Sequence, residues 1–474
     1  MWRLFGIAAG TVAFAVLAFA VPSLRAIPGQ GARPAFAAGV AALMAVWWLT
    51  EALPIAVTAC VPLFLFPLLD VHGKGPLGDV VAAFSPFTDA YIFLFLGGMA
   101  IGAAMEQWGL HRRVALHVMR AVGTQPKRLL LGMLVATASV SLWISNTATA
   151  VMMMPIGFAL VKQLEAVNGR RLGGFGCALM LGVAYASNVG GIGTKIGTGT
   201  NSIFCGFLSE KLHTDIGFLR YIAFAAPFVV LFLPVVWALL WSVGRTDAPA
   251  GDQGREVLDR ELAAMGAPGR GERRVAVVFL CAALLWILGD PIRNAIAPLV
   301  PFKLQGKHYE ASVSMLAALV LIVSRGVSFA ALRRLPWSTL VLLGGSFAMA
   351  SGIEASGLGR WMAASMKGLG DLPPLAQLGI TSSGTIALSA VASNTATINV
   401  MLNVLPAKLP LLFASAIAAS CDFMLPAGTP PNAIVFGSGY IRLATMMRIG
   451  FLLDVAAAVL IPIYVLVYGQ WVLG

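Results

Sequence analysis

Long apolar runs dominate the chain, and stretches such as Leu4 to Val21 and Phe224 to Val243 continue without the alternation of an outer-membrane barrel strand. They predict helices near 4–22, 35–52, 54–69, 90–105, 129–143, 175–190, 219–244, 274–290, 311–325, 337–353, 376–391, 409–420 and 450–468. Several fall short of the roughly 20 residues that a full crossing needs. They are cut by clusters of Ser, Asn, Thr and Gly, the pattern of broken helices and re-entrant hairpins. Residues 245–273 form the one long polar stretch, and its Arg, Asp, Glu, Gly and Pro read as a solvated cytoplasmic linker between two halves.

The halves repeat. Phe93-Leu-Phe-Leu-Gly97-Gly98 followed by Met105-Glu106-Gln-Trp-Gly109-Leu110 returns as Leu342-Leu-Gly344-Gly345 followed by Ile353-Glu354-Ala-Ser-Gly357-Leu358. Ser145-Asn146-Thr147-Ala148-Thr149 returns as Ser393-Asn394-Thr395-Ala396-Thr397. Gly197-Thr198-Gly199-Thr200-Asn201 is echoed by Gly428-Thr429-Pro430-Pro431-Asn432. Three matched elements in one order, each at an interrupted apolar segment, are the signature of a secondary transporter whose site lies where the repeats meet.

Composition fixes the class. Of 474 residues 59% are hydrophobic and 11% charged, against about 25% charged in a soluble domain, and the mean hydropathy is +0.86. The expectation is an all-α, multi-pass protein of a bacterial-type inner (plasma) membrane, with the lipid bilayer as solvent. The net charge of +12 reports topology. Arg112, Arg113, Arg120, Lys127, Arg128 and the basic residues of 245–274 mark the cytoplasmic side, and no nucleic-acid partner is implied. Cys60, Cys177, Cys205, Cys281 and Cys421 are scattered singly, and His111 and His117 are six apart, so neither disulfides nor zinc are expected. Residues 1–26 resemble a signal peptide in outline but hold an apolar run long enough to span. Gly190 to Gly199 lacks the Gly-Lys-Ser/Thr of a phosphate loop. Glu51, Glu106, Glu310 and Glu354 read as helix-end or interfacial groups. No convergent acid, base and metal set suggests an enzyme.

The repeated motifs carry the chemistry. Hydroxyls and amides at the tip of a membrane hairpin leave backbone groups that a ligand must satisfy. Side-chain oxygens and loop carbonyls suit a small hard cation such as Na+. Helix N-termini opening after each tip suit a carboxylate or another anion. With Tyr185-Ala-Ser-Asn-Val-Gly-Gly-Ile-Gly-Thr194, Met424-Leu-Pro-Ala-Gly-Thr-Pro-Pro-Asn-Ala-Ile-Val-Phe-Gly437 and Trp47-Trp-Leu-Thr-Glu-Ala-Leu-Pro54, the two Ser-Asn-Thr motifs make the chain resemble the divalent anion:sodium symporters along nearly its whole length. The resemblance implies a homodimer of protomers with eleven spanning helices, two inverted repeats and two re-entrant hairpins, in which a scaffold domain holds the dimer and a transport domain moves like an elevator. Scaffold helices would occupy 1–126 and 274–370, and transport parts with their hairpins 127–244 and 371–474, joined by the linker 245–273.

Carried over residue by residue, the resemblance places a first sodium near Ser141, Ser145, Asn146 and Gly197, and a second near Ser389, Ala392, Asn394 and Gly428. Ser145, Asn146, Thr147, Thr198, Ser393, Asn394, Thr395, Thr429 and Pro430 would face the anion. The expected activity is sodium-coupled uptake of C4-dicarboxylates, the alternatives being a sodium-independent exchanger or a sulfate-type symporter. Two departures bear on coupling: Lys195, two residues before Gly197, which could substitute for a bound sodium, and Asp422, where a neutral residue is expected. The repeat makes Asp422 the expected partner of Lys195.

Overall fold

The computed structural model describes residues 2–249, 254–299, 304–365 and 367–469, and among them every regular element is helical. The first half runs through α1 (Trp2–Ala15), α2 (Arg33–Leu49), α3 (Ile55–Leu68), α4 (Gly75–Phe84), α5 (Ala90–Gln107), α6 (Leu110–Val122), α7 (Pro126–Ser141), α8 (Asn146–Asn168), α9 (Gly173–Gly191), α10 (Gly199–Lys211) and α11 (Phe218–Gly244). After α12 (Gly254–Met265) come α13 (Arg270–Ile287), α14 (Gly289–Ile296), α15 (Gly306–Val323), α16 (Trp337–Ala355), α17 (Pro374–Ser389), α18 (Asn394–Val404), α19 (Leu409–Ala418), α20 (Pro430–Phe436) and α21 (Leu443–Tyr464). Seven helices among the described residues are long and apolar enough to cross a bilayer, and eight if α13 and the segment Gly289–Leu299, bent by 70° at Gly289, count as one. The protein is a multi-pass membrane protein. Its outward residues fit that solvent: Leu4, Phe64, Val230 and Val323 are each more than 70% exposed.

Two elements differ from the pattern-based expectation. The segment after the first Ser-Asn-Thr motif was not among the expected helices, yet α8 has 23 residues and is one of the seven. Its apolar face is interrupted by Thr147, Thr149, Pro155 and Lys162, which hides a span from a run-based reading. The polar stretch 245–273 holds α12, an amphipathic helix laid on α6 through the pairs Arg112–Glu261 and Arg120–Asp259. Arg113 binds Glu272 just beyond it.

The repeated Gly-Gly pairs explain how the halves interlock. A Cβ on Gly97 of α5 would lie 2.3 Å from Ser314 Oγ and 2.5 Å from the Ser314 carbonyl oxygen of α15. One on Gly345 of α16 would lie 2.1 Å from the Ala59 carbonyl oxygen of α3. Each half therefore presses a glycine face against the backbone of a helix from the other half, the close approach that small residues allow in membranes. Because the obstacle is backbone at both places, Gly97→Leu and Gly345→Leu should each destabilise by about 1–3 kcal/mol or more. Thermal unfolding in detergent should register both as clear losses, whereas Gly384→Leu, at a glycine with open space around it, should leave the midpoint nearly unchanged.

Candidate functional site

Four helices end inside the protein and restart after a short unwound stretch. α7 stops at Ser141 and α8 begins at Asn146; α17 stops at Ser389 and α18 begins at Asn394. In each case the motif serine is the N-cap. Ser145 Oγ accepts from the Ala148 N–H at 3.4 Å, and Ser393 Oγ from the Ala396 N–H at 3.3 Å. α9 and α19 are likewise interrupted, by 192–198 and 419–429, before α10 and α20. The sequence dictates this, since a Ser, Thr or Asn followed by a good helix former both ends one helix and caps the next.

The two breaks are built alike. The Ser141 hydroxyl lies 3.0 Å from Asn146 Oδ1 and 2.7 Å from the Ser187 carbonyl; that of Ser389 lies 3.2 Å from Asn394 Oδ1 and 2.8 Å from the Ala419 carbonyl. Asn201 donates from Nδ2 to the carbonyls of Gly191 (2.8 Å), Ile192 (3.2 Å) and Thr194 (2.7 Å), and Asn432 donates to that of Leu425 (3.0 Å). The loops also clasp each other: Asn188 Nδ2 donates to Thr429 Oγ1 at 3.1 Å, and the Thr200 and Ser420 hydroxyls meet at 3.3 Å. The Thr395 methyl faces Gly199.

Glycine is required at the first break. A Cβ on Gly197 would stand 2.4 Å from the Gly191 carbonyl oxygen and 3.0 Å from that of Ser141, and one on Gly191 would stand 2.0 Å from Asn146 Oδ1. The carbonyl ends of α7 and α9 and the Asn146 side chain thus converge beside Gly197. Helix C-termini and bare oxygens form a cation-binding environment. The N-termini of α8, α10 and α18 open next to it and favour an anion. Ser141, Gly197, Ser389, Ala392 and Gly428 are buried, while Ser145, Asn146, Thr198, Ser393, Asn394 and Thr395 are half-buried and Thr147 and Pro430 exposed. Thr429 is buried as the N-cap of α20, accepting from the Asn432 N–H. A cavity of about 490 Å³ reaches the first tip at Ile144, Ser145 and Ala148, and is also lined by Glu106 and Arg334.

Three buried amide oxygens at these breaks, Asn188 Oδ1, Asn201 Oδ1 and Asn432 Oδ1, have no hydrogen-bond partner, nor has the Thr397 hydroxyl of the second pentad, and the buried Asp422 carboxyl meets no positively charged partner. The amide oxygens are acceptors, so what they miss is a cation or a donor. Asn188, Asn201 and Asn432 had no assigned role in the sequence reading. The signal was present, because Asn201 and Asn432 close the two echoed loops.

The expected pairing of Lys195 with Asp422 is corrected. Lys195 Nζ lies 2.7 Å from Glu310 Oε2 and 5.5 Å from the centre of the Tyr91 ring, and both charged side chains are at most 4% exposed. Glu310 also accepts from the Phe218 N–H at 2.7 Å through Oε1. It is a buried counter-ion, not the interfacial group that its place near the start of α15 suggested. Repeat arithmetic failed here because the position opposite Lys195 in the second loop is Pro426, six residues before the loop asparagine as Lys195 is before Asn201.

The chain matches the model of the sodium:sulfate symporter transmembrane region over residues 3–474. It belongs to this family. Family members similar to it include the sodium-dependent dicarboxylate transporters SdcS of Staphylococcus saprophyticus, 33% identical over 93% of this chain and 87% of the relative, and of Staphylococcus aureus, 32% identical over 91% and 85%. Solved structures share the fold at low identity. The Alcanivorax borkumensis YdaH transporter has a TM-score of 0.57 and 16% identity, covering 87% of this chain and 97% of that one; Neisseria gonorrhoeae MtrF has 0.54 and 13%, covering 98% and 94%. Membership makes the chain a membrane transporter and not an enzyme.

Removing one partner of a buried ion pair costs about 3–5 kcal/mol, because the other charge is left uncompensated. Lys195→Met should therefore lower the thermal midpoint strongly, and adding Glu310→Gln should restore much of the loss. Equal or additive losses in the double variant would show that the pair does not hold in solution.

Proposed function

We propose that this protein is a secondary active transporter that carries C4-dicarboxylates such as succinate, malate or fumarate into the cell together with sodium. The observation that carries the reading is the duplicated break: Ser141–Asn146 with Gly197, and Ser389–Asn394 with Gly428, two oxygen-rich pockets flanking helix N-termini. Ser141, Ser145, Asn146 and Gly197 hold one sodium, and Ser389, Ala392, Asn394 and Gly428 the other. The anion lies against Ser145, Asn146, Thr147, Thr198, Ser393, Asn394, Thr395, Thr429 and Pro430, where short donors and helix N-termini meet its carboxylates. Each asparagine touches both its own cation and the anion, so cation and anion stabilise one another's sites. The names of the SdcS relatives support dicarboxylate as substrate and sodium as coupling ion. The neutralisation of Lys195 by Glu310 supports sodium as well, since a lysine already paired is not free to replace the ion.

The halves are read as inverted repeats, supported by the equivalent contacts that Ser141 makes with Asn146 and Ser389 with Asn394, and that Asn201 makes with Thr194 and Asn432 with Leu425. Segments 127–244 and 371–474 form the moving body, and 1–126 and 274–370 the scaffold of a homodimer with eleven spans per protomer. The Lys195–Glu310 pair crosses from one to the other, so an elevator movement must break or carry it.

Reconstitution in liposomes tests the reading. An inward sodium gradient should drive concentrative uptake of radiolabelled succinate, and potassium in its place should not. Asn146→Ala and Asn394→Ala should each reduce uptake at least 100-fold while eluting as the folded species. Uptake by both variants near the unsubstituted rate would remove these breaks from the site, sodium-free counterflow would identify an exchanger, and competition by sulfate alone would change the substrate.

A further inference from the structure

The two pockets are not chemically equal. Asp422 stands ten residues before Asn432, the position that Gly191 holds before Asn201. In the first break that position is bare, and Asn146 Oδ1 fills the space a side chain would take. In the second break the position carries a carboxylate, 1% exposed, whose Oδ2 lies 2.4 Å from where a Cβ on Gly428 would be. Asn394, the counterpart of Asn146, is beside it. Beyond the Asn394 amide and its own backbone, Asp422 meets no donor, and no Lys, Arg or His among the described residues forms an ion pair with it. Lys195 is paired with Glu310, and Asp454 on α21, whose Oδ1 accepts from the Phe423 N–H at 2.9 Å, is a second carboxylate facing the same loop.

An uncompensated carboxylate in a water-poor interior is costly, and beside a site for a dianion it would also repel the substrate. A bound cation removes both costs, as a proton would, and only the cation adds a response to sodium. We propose that Asp422 is a direct anionic ligand of the cation in the second pocket, which makes that pocket a charged site and fixes the order of binding. The proposal rests on the sodium-coupled reading above and goes beyond it. The second pocket loads with sodium before and without dicarboxylate, because Asp422 supplies the neutralising charge. The first pocket has only carbonyls, Ser141 and Asn146, and depends on the anion for its negative charge. The departure at Asp422 therefore strengthens cation binding on one side of the substrate instead of replacing it.

Sodium titrations of the purified full-length protein in detergent, choline replacing sodium at constant ionic strength and without dicarboxylate, test this by thermal shift and by tryptophan fluorescence. The unsubstituted protein should show a saturable sodium response. Asp422→Asn should weaken the apparent affinity at least tenfold, and Asp422→Gly, which restores the residue of the first break, should do the same with no added bulk. Adding succinate should recover sodium binding in both variants, since the anion then supplies the charge. If folded Asp422→Asn and Asp422→Gly titrate like the unsubstituted protein, Asp422 is not a cation ligand. Should the unsubstituted protein respond to sodium and import succinate while these titrations coincide, only the role of Asp422 fails. If it neither responds to sodium nor imports succinate, the sodium-coupled reading fails with it.

Discussion

A helix that stops inside a bilayer leaves about four carbonyls and four N–H groups without helical partners, in a medium with no water to accept them. This protein stops four helices in that way, and most of its central architecture follows. The serine N-caps and the side-chain amides of Asn201 and Asn432 satisfy backbone that the breaks expose, while the Asn188 amide reaches the Thr429 hydroxyl of the other break. What they leave over at the breaks is chiefly acceptor, in the buried amide oxygens of Asn188, Asn201 and Asn432 and the carboxyl of Asp422. Acceptors held in reserve suit a cation, and the helix N-termini on the other side of the breaks suit an anion.

Interlocking of the halves keeps the breaks together. Gly97 and Gly345 allow α5 to lie on α15 and α16 on α3, so that each half is packed against backbone supplied by the other. The two breaks also hold each other, with Asn188 on Thr429 and Thr200 on Ser420. Charges are placed with the same economy: the lysine nearest the first pocket is neutralised by Glu310 across the interior, which leaves the sign of each pocket to its own ligands.

Much of this was legible in the chain because a repeat doubles every signal. The two Ser-Asn-Thr pentads located the breaks, and the echoed Gly-Thr loops located their partners. Helix α8 escaped because Thr147, Thr149, Pro155 and Lys162 break its apolar run, although a helix with internal packing partners tolerates them. The same blindness to tertiary context misplaced Glu310. A glutamate near a helix start reads as interfacial, and only the three-dimensional approach of Lys195, Tyr91 and Phe218 makes it a buried counter-ion. Asn188, Asn201 and Asn432 lie within these motifs, but Asn201 and Asn432 hold backbone carbonyls and Asn188 the Thr429 hydroxyl, contacts that sequence spacing does not display.

The most direct test of the central claim, that the paired breaks hold cations on either side of a shared anion, is an experimental density map of the protein in lipid nanodiscs with saturating sodium and succinate. The expected result is density for the dianion between Ser145-Asn146-Thr147 and Ser393-Asn394-Thr395, with a compact peak beside Ser141 and Gly197 and another beside Asp422 and Gly428. Succinate density confined to the Glu106 and Arg334 end of the cavity, with both pockets filled by water in sodium and potassium alike, would contradict it.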